Sequence, residues 1–297
     1  MLPLLPLILT AALSAQDPRL LQIEAVALDK KGNPVTDLAR GDLEVWINGR
    51  RIPVDSLSAV APAEGEAAGR LLVLLLDDVT VDPRMAPRVR ETARRFVMRM
   101  RPDDRMAVVN LSGGVIDITA DQPKVLGKVD SYNQTAGFIP IERLGEHVLT
   151  TVAAVARAMG EDTSRRKAIV AIGSGSLLDR PIPPPQVAAE LHREWQAAIR
   201  AMASADVTFY VIDPAGVGAA PAGGGGDGFA REAGGHSFIN TNDLKGAADR
   251  ILRELDSYYE IRVADPPFGR NDLLRELEVR SLRRDITLRA RRSISGT

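Results

Sequence analysis

The sequence predicts an α/β protein: a doubly wound, mostly parallel sheet flanked by a small antiparallel β domain built from both chain ends. Three observations predict it. Leu71–Leu76 is an unbroken apolar run that stops at Asp77 and Asp78, and Lys167–Ile172 and Val207–Ile212 have the same character. Such runs read as strands buried on both faces, as at the centre of a parallel sheet. Helical patterns lie between them, and strands alternating with helices imply parallel pairing. Toward both ends the pattern changes to period-two alternation, the mark of half-buried antiparallel strands.

The first β segment covers 19–62. Leu21, Ile23, Ala25 and Ala27 alternate with their neighbours, and DKKGNP at 29–34 is a turn. Leu43, Val45 and Ile47 alternate up to Asn48-Gly49, a strong hairpin signal, and Ile52 and Val54 return. A linker of small residues, APAEGEAAGR, follows at 61–70.

The α/β unit covers 70–256. After its first strand, Asp82-Pro83 predicts a helix start, with Asp as N-cap and Pro at the first helical position. Met85, Val89, Phe96, Val97 and Met100 then fall on one helix face, and Pro102 closes the helix. Arg105–Leu111 is the next strand. Gly113-Gly114 turns it into Val115–Thr119, which predicts a hairpin at one edge of the sheet. Helices are predicted over 146–159 and 186–204, and a strand over 236–240. Residues 213–228 read as a Pro- and Gly-rich loop. Asn242 or Asp243 caps a last helix whose inner face is Leu244, Ala248, Ile251, Leu252 and Leu255.

The second β segment covers 257–295. Tyr259, Ile261 and Val263 alternate, as do Leu277 and Val279, and Ile286, Leu288 and Ala290. Each segment has too few strands for an independent sheet. The two ends are therefore expected to pair, with the α/β unit inserted between them.

Composition bounds the function. The chain has 297 residues, 45% hydrophobic and 26% charged, with a net charge of −1. This suits a globular protein and points to neither nucleic acid nor an anionic membrane. There is no cysteine, which excludes disulfides, thiolate metal sites and a cysteine nucleophile. Residues 1–16, MLPLLPLILTAALSAQ, are too short for a comfortable membrane span and read as a signal-peptide core ending near Ala12–Ala15. The expectation is an exported chain, periplasmic or secreted, with no transmembrane segment after signal removal.

In open α/β sheets, ligands bind beyond the carboxyl ends of the strands. Here that rule selects Asp77, Asp78, Thr80 and Asp82 after the first strand. It also selects Ser112, Gly113 and Gly114 after the second, and Ser174 and Ser176 in the GSGS run at 173–176.

The order of elements over 71–256 resembles a von Willebrand factor type A domain. The phrases DKKGNPVTDLARGDLEVWINGR, EAGGHSFINTNDL, LDSYYEIRV and ITLRARRSI are similar to segments of an exported group of such proteins best known from Acidobacteria. The family typically holds a divalent ion through Asp-x-Ser-x-Ser, a later Thr and an Asp after the fourth strand. The resemblance maps the first Asp onto Asp77. It maps the two serines onto Val79 and Val81, which carry no side-chain oxygen, and the last Asp onto Ser174. Thr150 or Thr151 would supply the Thr. Mg²⁺ wants oxygen ligands in near-octahedral geometry, so the expectation is a degenerate site and no cofactor. A shifted set, Asp78-x-Thr80-x-Asp82, would restore three oxygens and is the metal-dependent alternative, with Asp77, Asp78 and Thr80 the weak candidate ligands.

The resemblance implies a non-enzymatic module that binds another protein of the envelope or extracellular space. A passive subunit of an envelope assembly is a second reading. A hydrolase using Ser174 is a third. It lacks the Gly-x-Ser-x-Gly elbow, and no base is evident beside the serine. His147, His192 and His236 are scattered, without metal-ligand spacing. Arginines crowd the first helix and the C-terminus. They read as a solvated face with snorkelling stems, or as a surface for an acidic partner.

Overall fold

A computed structural model describes residues 20–61, 69–133, 139–175, 178, 185–218, 226–264 and 274–295. The expected signal peptide, most of the 61–70 linker and Ser176 lie outside the described residues. Among the described residues, no helix is long and apolar enough to cross a membrane.

The chain opens with β1 (Leu20–Leu28), β2 (Leu43–Ile47), β3 (Arg50–Ile52) and β4 (Val54–Val60). The turn between β2 and β3 is Asn48-Gly49, with Asn48 at φ 48°, as a two-residue hairpin requires. The α/β unit follows as β5 (Arg70–Leu76), α1 (Ala86–Val97), β6 (Arg105–Asn110), α2 (Gln122–Asp130), α3 (Ile141–Met159), β7 (Arg166–Ile172), α4 (Pro185–Ala205), β8 (Val207–Ile212), α5 (Asp227–Glu232), β9 (Ser237–Phe238) and α6 (Leu244–Asp256). The chain closes with β10 (Tyr258–Ala264), β11 (Leu274–Ser281), β12 (Thr287–Ala290) and β13 (Ser293–Ser295).

A five-stranded sheet runs β6-β5-β7-β8-β9, and every pairing in it is parallel. All seven residues of β5 are buried. Leu71, Val73 and Leu75 face a core made with α3, α4 and α5. Leu72, Leu74 and Leu76 face another made with α1, α2 and α6. Helices therefore cover both faces, and that is why β5 reads as a continuous apolar run and not an alternating one. Each such fully buried leucine contributes on the order of 2 kcal/mol.

The two chain ends form two antiparallel sheets, β12-β1-β10-β4 and β13-β11-β2-β3. Ile23 pairs with Ile261 and Val45 with Val279, so strands from opposite ends are direct neighbours. Their inward residues, among them Val45, Ile47, Tyr259, Ile261 and Leu277, make one core. This is the period-two alternation of the sequence expressed as packing.

Three elements differ from the sequence expectation. The edge hairpin at 105–119 is reduced to two isolated bridges, Met106 with Thr119 and Asn110 with Gly113, because the turn at Gly113-Gly114 carries the chain outward and leaves Val115 81% exposed. The helix expected at 146 starts at Ile141. The strand expected through 286–294 divides into β12 and β13, which belong to different sheets. The division falls at Arg291, whose buried guanidinium donates to Ala203 O at 3.1 Å and pairs with Asp206.

The arginines divide: Arg84, Arg94, Arg99, Arg280, Arg284 and Arg292 are exposed, as on a solvated face, while others are drawn into the packing. Arg289 donates to both oxygens of the fully buried Glu254 at the end of α6, at 2.9 and 3.3 Å. Arg166, at the start of β7, donates to Glu254 O at 2.7 Å. It lies 3.3 Å from Glu24 of β1 and stacks 3.9 Å over the Tyr258 ring. On α1, Arg95 pairs with Asp249 of α6 and Arg94 with Asp130 of α2. These arginines tie helices to one another and the α/β unit to the β sheets.

Candidate functional site

β5 ends at the centre of the parallel sheet, and the two carboxylates after it turn to opposite sides. Asp77 is 7% exposed and Asp78 1%. Asp77 Oδ1 accepts from the backbone N–H of Val79 at 3.1 Å and of Thr80 at 2.7 Å. Its Oδ2 accepts from the Thr80 hydroxyl. That hydroxyl lies 3.3 Å from the Ser174 hydroxyl, beyond the end of β7. Tyr132 donates to Asp77 O at 2.7 Å, and the buried phenol titrates well above its ordinary range because burial, and then Asp77 and Asp78, oppose its ionisation.

Asp78 faces the neighbouring loop. It accepts from the Ser112 backbone N–H at 2.8 Å and from the Ser112 hydroxyl. The loop after β6 is thereby fixed to the end of β5, and Gly113-Gly114 makes the turn beyond it.

Asp82 stands apart. It caps the short 3₁₀ turn Pro83–Met85 by accepting from Arg84 N at 2.9 Å, and it pairs with the Arg84 guanidinium. Hydrogen bonds from Arg84 hold its pKa down at about 2. The N-cap role read from the sequence is the one it has, but it starts a 3₁₀ turn before α1.

The structure thus brings Asp77, Thr80 and Ser174 together, and separately Asp78 and Ser112. It does not bring Asp78, Thr80 and Asp82 together, because each is bonded to a different partner. Thr150 and Thr151 lie in the middle of α3 and supply no loop ligand. Val79 packs against one core and Val81, 6% exposed, is buried in the other. Among the described residues, no group of three or more His, Cys, Asp or Glu is placed to hold a metal ion.

Two residues of the site escape a reading of the sequence. Gly173 lies so close to Asp77 that a Cβ on it would stand 2.4 Å from the Asp77 Cβ. Asp213, 2% exposed, follows β8 as Asp77 follows β5. Burial raises its pKa, and the charge of Asp77 adds to this, against the hydrogen bond from Ala215 N and the attraction of Arg88. The signal for Asp213 was the repeated form of an apolar run ending on Asp. It was obscured by the Pro- and Gly-rich stretch after it. A cavity of about 20 Å³ lies beneath the site, lined by Leu75, Leu111, Val148 and Leu178 with Asp77 and Ser174 at its polar end. It has room for about one water molecule.

The histidines serve the scaffold. His147 meets Leu111 O at 2.9 Å, and His192 stacks on Trp195. Burial lowers the pKa of His236 to about 2, with Arg289, Arg250 and Arg231 adding to the effect. Its neutral Nδ1 accepts from Arg289.

No protein-family model matches the chain, and no curated protein matches it in sequence. Among solved structures, a mutant of the PilB minor pilin from Streptococcus sanguinis is similar over 82% of this chain and 80% of that chain, with 11% identity and a TM-score of 0.45. A likeness at that score establishes neither fold nor function.

Proposed function

We propose that this chain is an exported, non-enzymatic protein-binding module built on a von Willebrand factor A-type scaffold whose ion site is degenerate. Its partner surface is the loop face at the carboxyl ends of β5, β6 and β7, and its partner is a protein of the envelope or extracellular space.

One observation carries this reading: the loop after β5 is closed upon itself. Val79 and Val81, where the related family has serines, are turned into the two cores. Both Asp77 oxygens accept hydrogen bonds from within the loop. Mg²⁺ gives up its waters reluctantly and needs several converging oxygens, and the described residues of the loop turn their oxygens to one another instead. What the loop does offer is a fixed surface, pinned to the next loop through Asp78 and Ser112. Binding on such a surface requires no ion.

The test is capture of a partner from envelope extract by the full chain, with and without EDTA. Capture should persist in EDTA. It should fall with Val115→Glu, a change at an exposed position beside Gly114, and persist with Arg51→Glu, on the β sheets. Capture that EDTA abolishes, together with a micromolar Mg²⁺ site seen by calorimetry, would overturn the metal-free reading. Fractionation that finds residues 1–16 intact in cytoplasmic protein would overturn export.

A further inference from the structure

Edge strands expose unpaired backbone groups, and proteins usually shorten, charge, bend or cover them. Among the described residues, β3 has three residues, two of them arginines, β9 has two, and β13 has three. β12 has four and carries Arg289, and β6 is covered by its bridge to Thr119. β4 differs. It has seven residues, VDSLSAV, and pairs only with β10. Its one charge, Asp55, lies at the register shift opposite Arg262 and Val263, outside the regular ladder. Arg40 donates to Asp55 O at 3.0 Å. Beyond that contact, the outward backbone groups of Ser56–Val60 have no partner among the described residues.

The segment is self-complementary. Leu57 and Ala59 pair with the buried Ile261 and Tyr259 and share their face of the sheet, Leu57 half-buried against the core and Ala59 exposed, while Ser56 and Ser58 lie on the other face opposite Arg262 and Glu260. Placed antiparallel to itself about Ser58, the strand sets Leu57 opposite Ala59, Ser56 opposite Val60 and Ser58 opposite Ser58. Leu57 meets Ala59 on one face, Ser58 meets Ser58 and Ser56 meets Val60 on the other, and no charge opposes a like charge. We propose that a second copy of this chain occupies this edge, β4 against β4 about a two-fold axis through Ser58. The sheet β12-β1-β10-β4 then continues into its symmetry mate. The contact lies on the β sheets and does not depend on the loop face proposed above.

The test is sedimentation equilibrium of the full chain. The expected result is a concentration-dependent dimer that is insensitive to salt, because the paired segment Ser56–Val60 carries no charge. Ser58 is exposed, so Ser58→Lys leaves the monomer folded but sets lysine against lysine across the axis. It should weaken the dimer on the order of fivefold. Mixing Ser58→Lys with Ser58→Glu should restore it. The chain has no cysteine, so Ser58→Cys introduces a single thiol. Mild oxidation should link it across the axis, while Ser56→Cys, facing Val60, should not link. A chain that stays monomeric at every concentration, or a dimer unchanged by Ser58→Lys, would overturn the proposal.

Discussion

Gly173 and Asp77 are in direct backbone-to-side-chain contact: a methyl group on Gly173 would stand 2.7 Å from Asp77 Oδ2. The end of β7 must be glycine for the carboxylate at the end of β5 to keep its seat. Gly173→Ala should cost about 1–3 kcal/mol, the usual cost of overpacking a filled site, and should loosen the loop at Val79–Thr80. Urea denaturation and hydrogen exchange at the Thr80 amide check both. Unchanged stability and exchange would show that the carboxylate has room to move.

Thr80 joins that carboxylate to Ser174. Thr80→Val keeps the shape and removes the hydroxyl, leaving Asp77 Oδ2 without its donor. A loss of about 1–3 kcal/mol is expected, and Thr80→Ser should recover most of it. The same measurement with Asp77→Ala bears on whether Asp77 is a surface group. Its burial and internal bonds predict a loss larger than that of Thr80→Val.

Arg70 and Asp104 form a buried pair at the opposite end of β5, 4% and 0% exposed. Burial alone would raise the Asp104 pKa. Hydrogen bonds from Arg70 and Arg101 N outweigh it and hold the pKa below 3.8. A lowered carboxylate contributes stability that is present above its unfolded pKa and lost as the pH falls through its folded pKa. Asp104→Asn should therefore lose about 3–5 kcal/mol at neutral pH. It should also flatten the stability curve on the acid side of the ordinary carboxylate range. Parallel acid limbs for the two proteins would contradict this.

Glu254 is the counter-charge for Arg289 and Arg250 where α6 meets β12. Glu254→Gln leaves two arginines at a buried junction without it and should cost about 3 kcal/mol or more. The two tryptophans fall one in each unit, Trp46 in β2 and Trp195 in α4. Single-tryptophan variants can therefore follow the two units separately. Their denaturation curves should coincide in the native background and separate in Glu254→Gln. Coincident curves in both would show that this junction does not couple them.

The sequence by itself determined which residues form buried strands, because burial on two faces demands an apolar run and burial on one face demands alternation. Leu71–Leu76 and the strands at the two ends were legible for that reason. It also determined the Asn48-Gly49 turn and the Asp82 cap, since both depend on the chemistry of a few adjacent residues. The tertiary structure alone decided which partner each polar group took. Asp77 and Asp78 are neighbours in the chain, but one turns to Thr80 and the other to Ser112, because a strand sends successive side chains to opposite faces and the neighbouring loops differ. Arg289 and Arg291 looked like part of a solvated face because the sequence does not reveal that Glu254 and Asp206 lie across from them. Their pairing depends on contacts between residues far apart in the chain, and only the packing of the α/β unit against the β sheets creates those contacts.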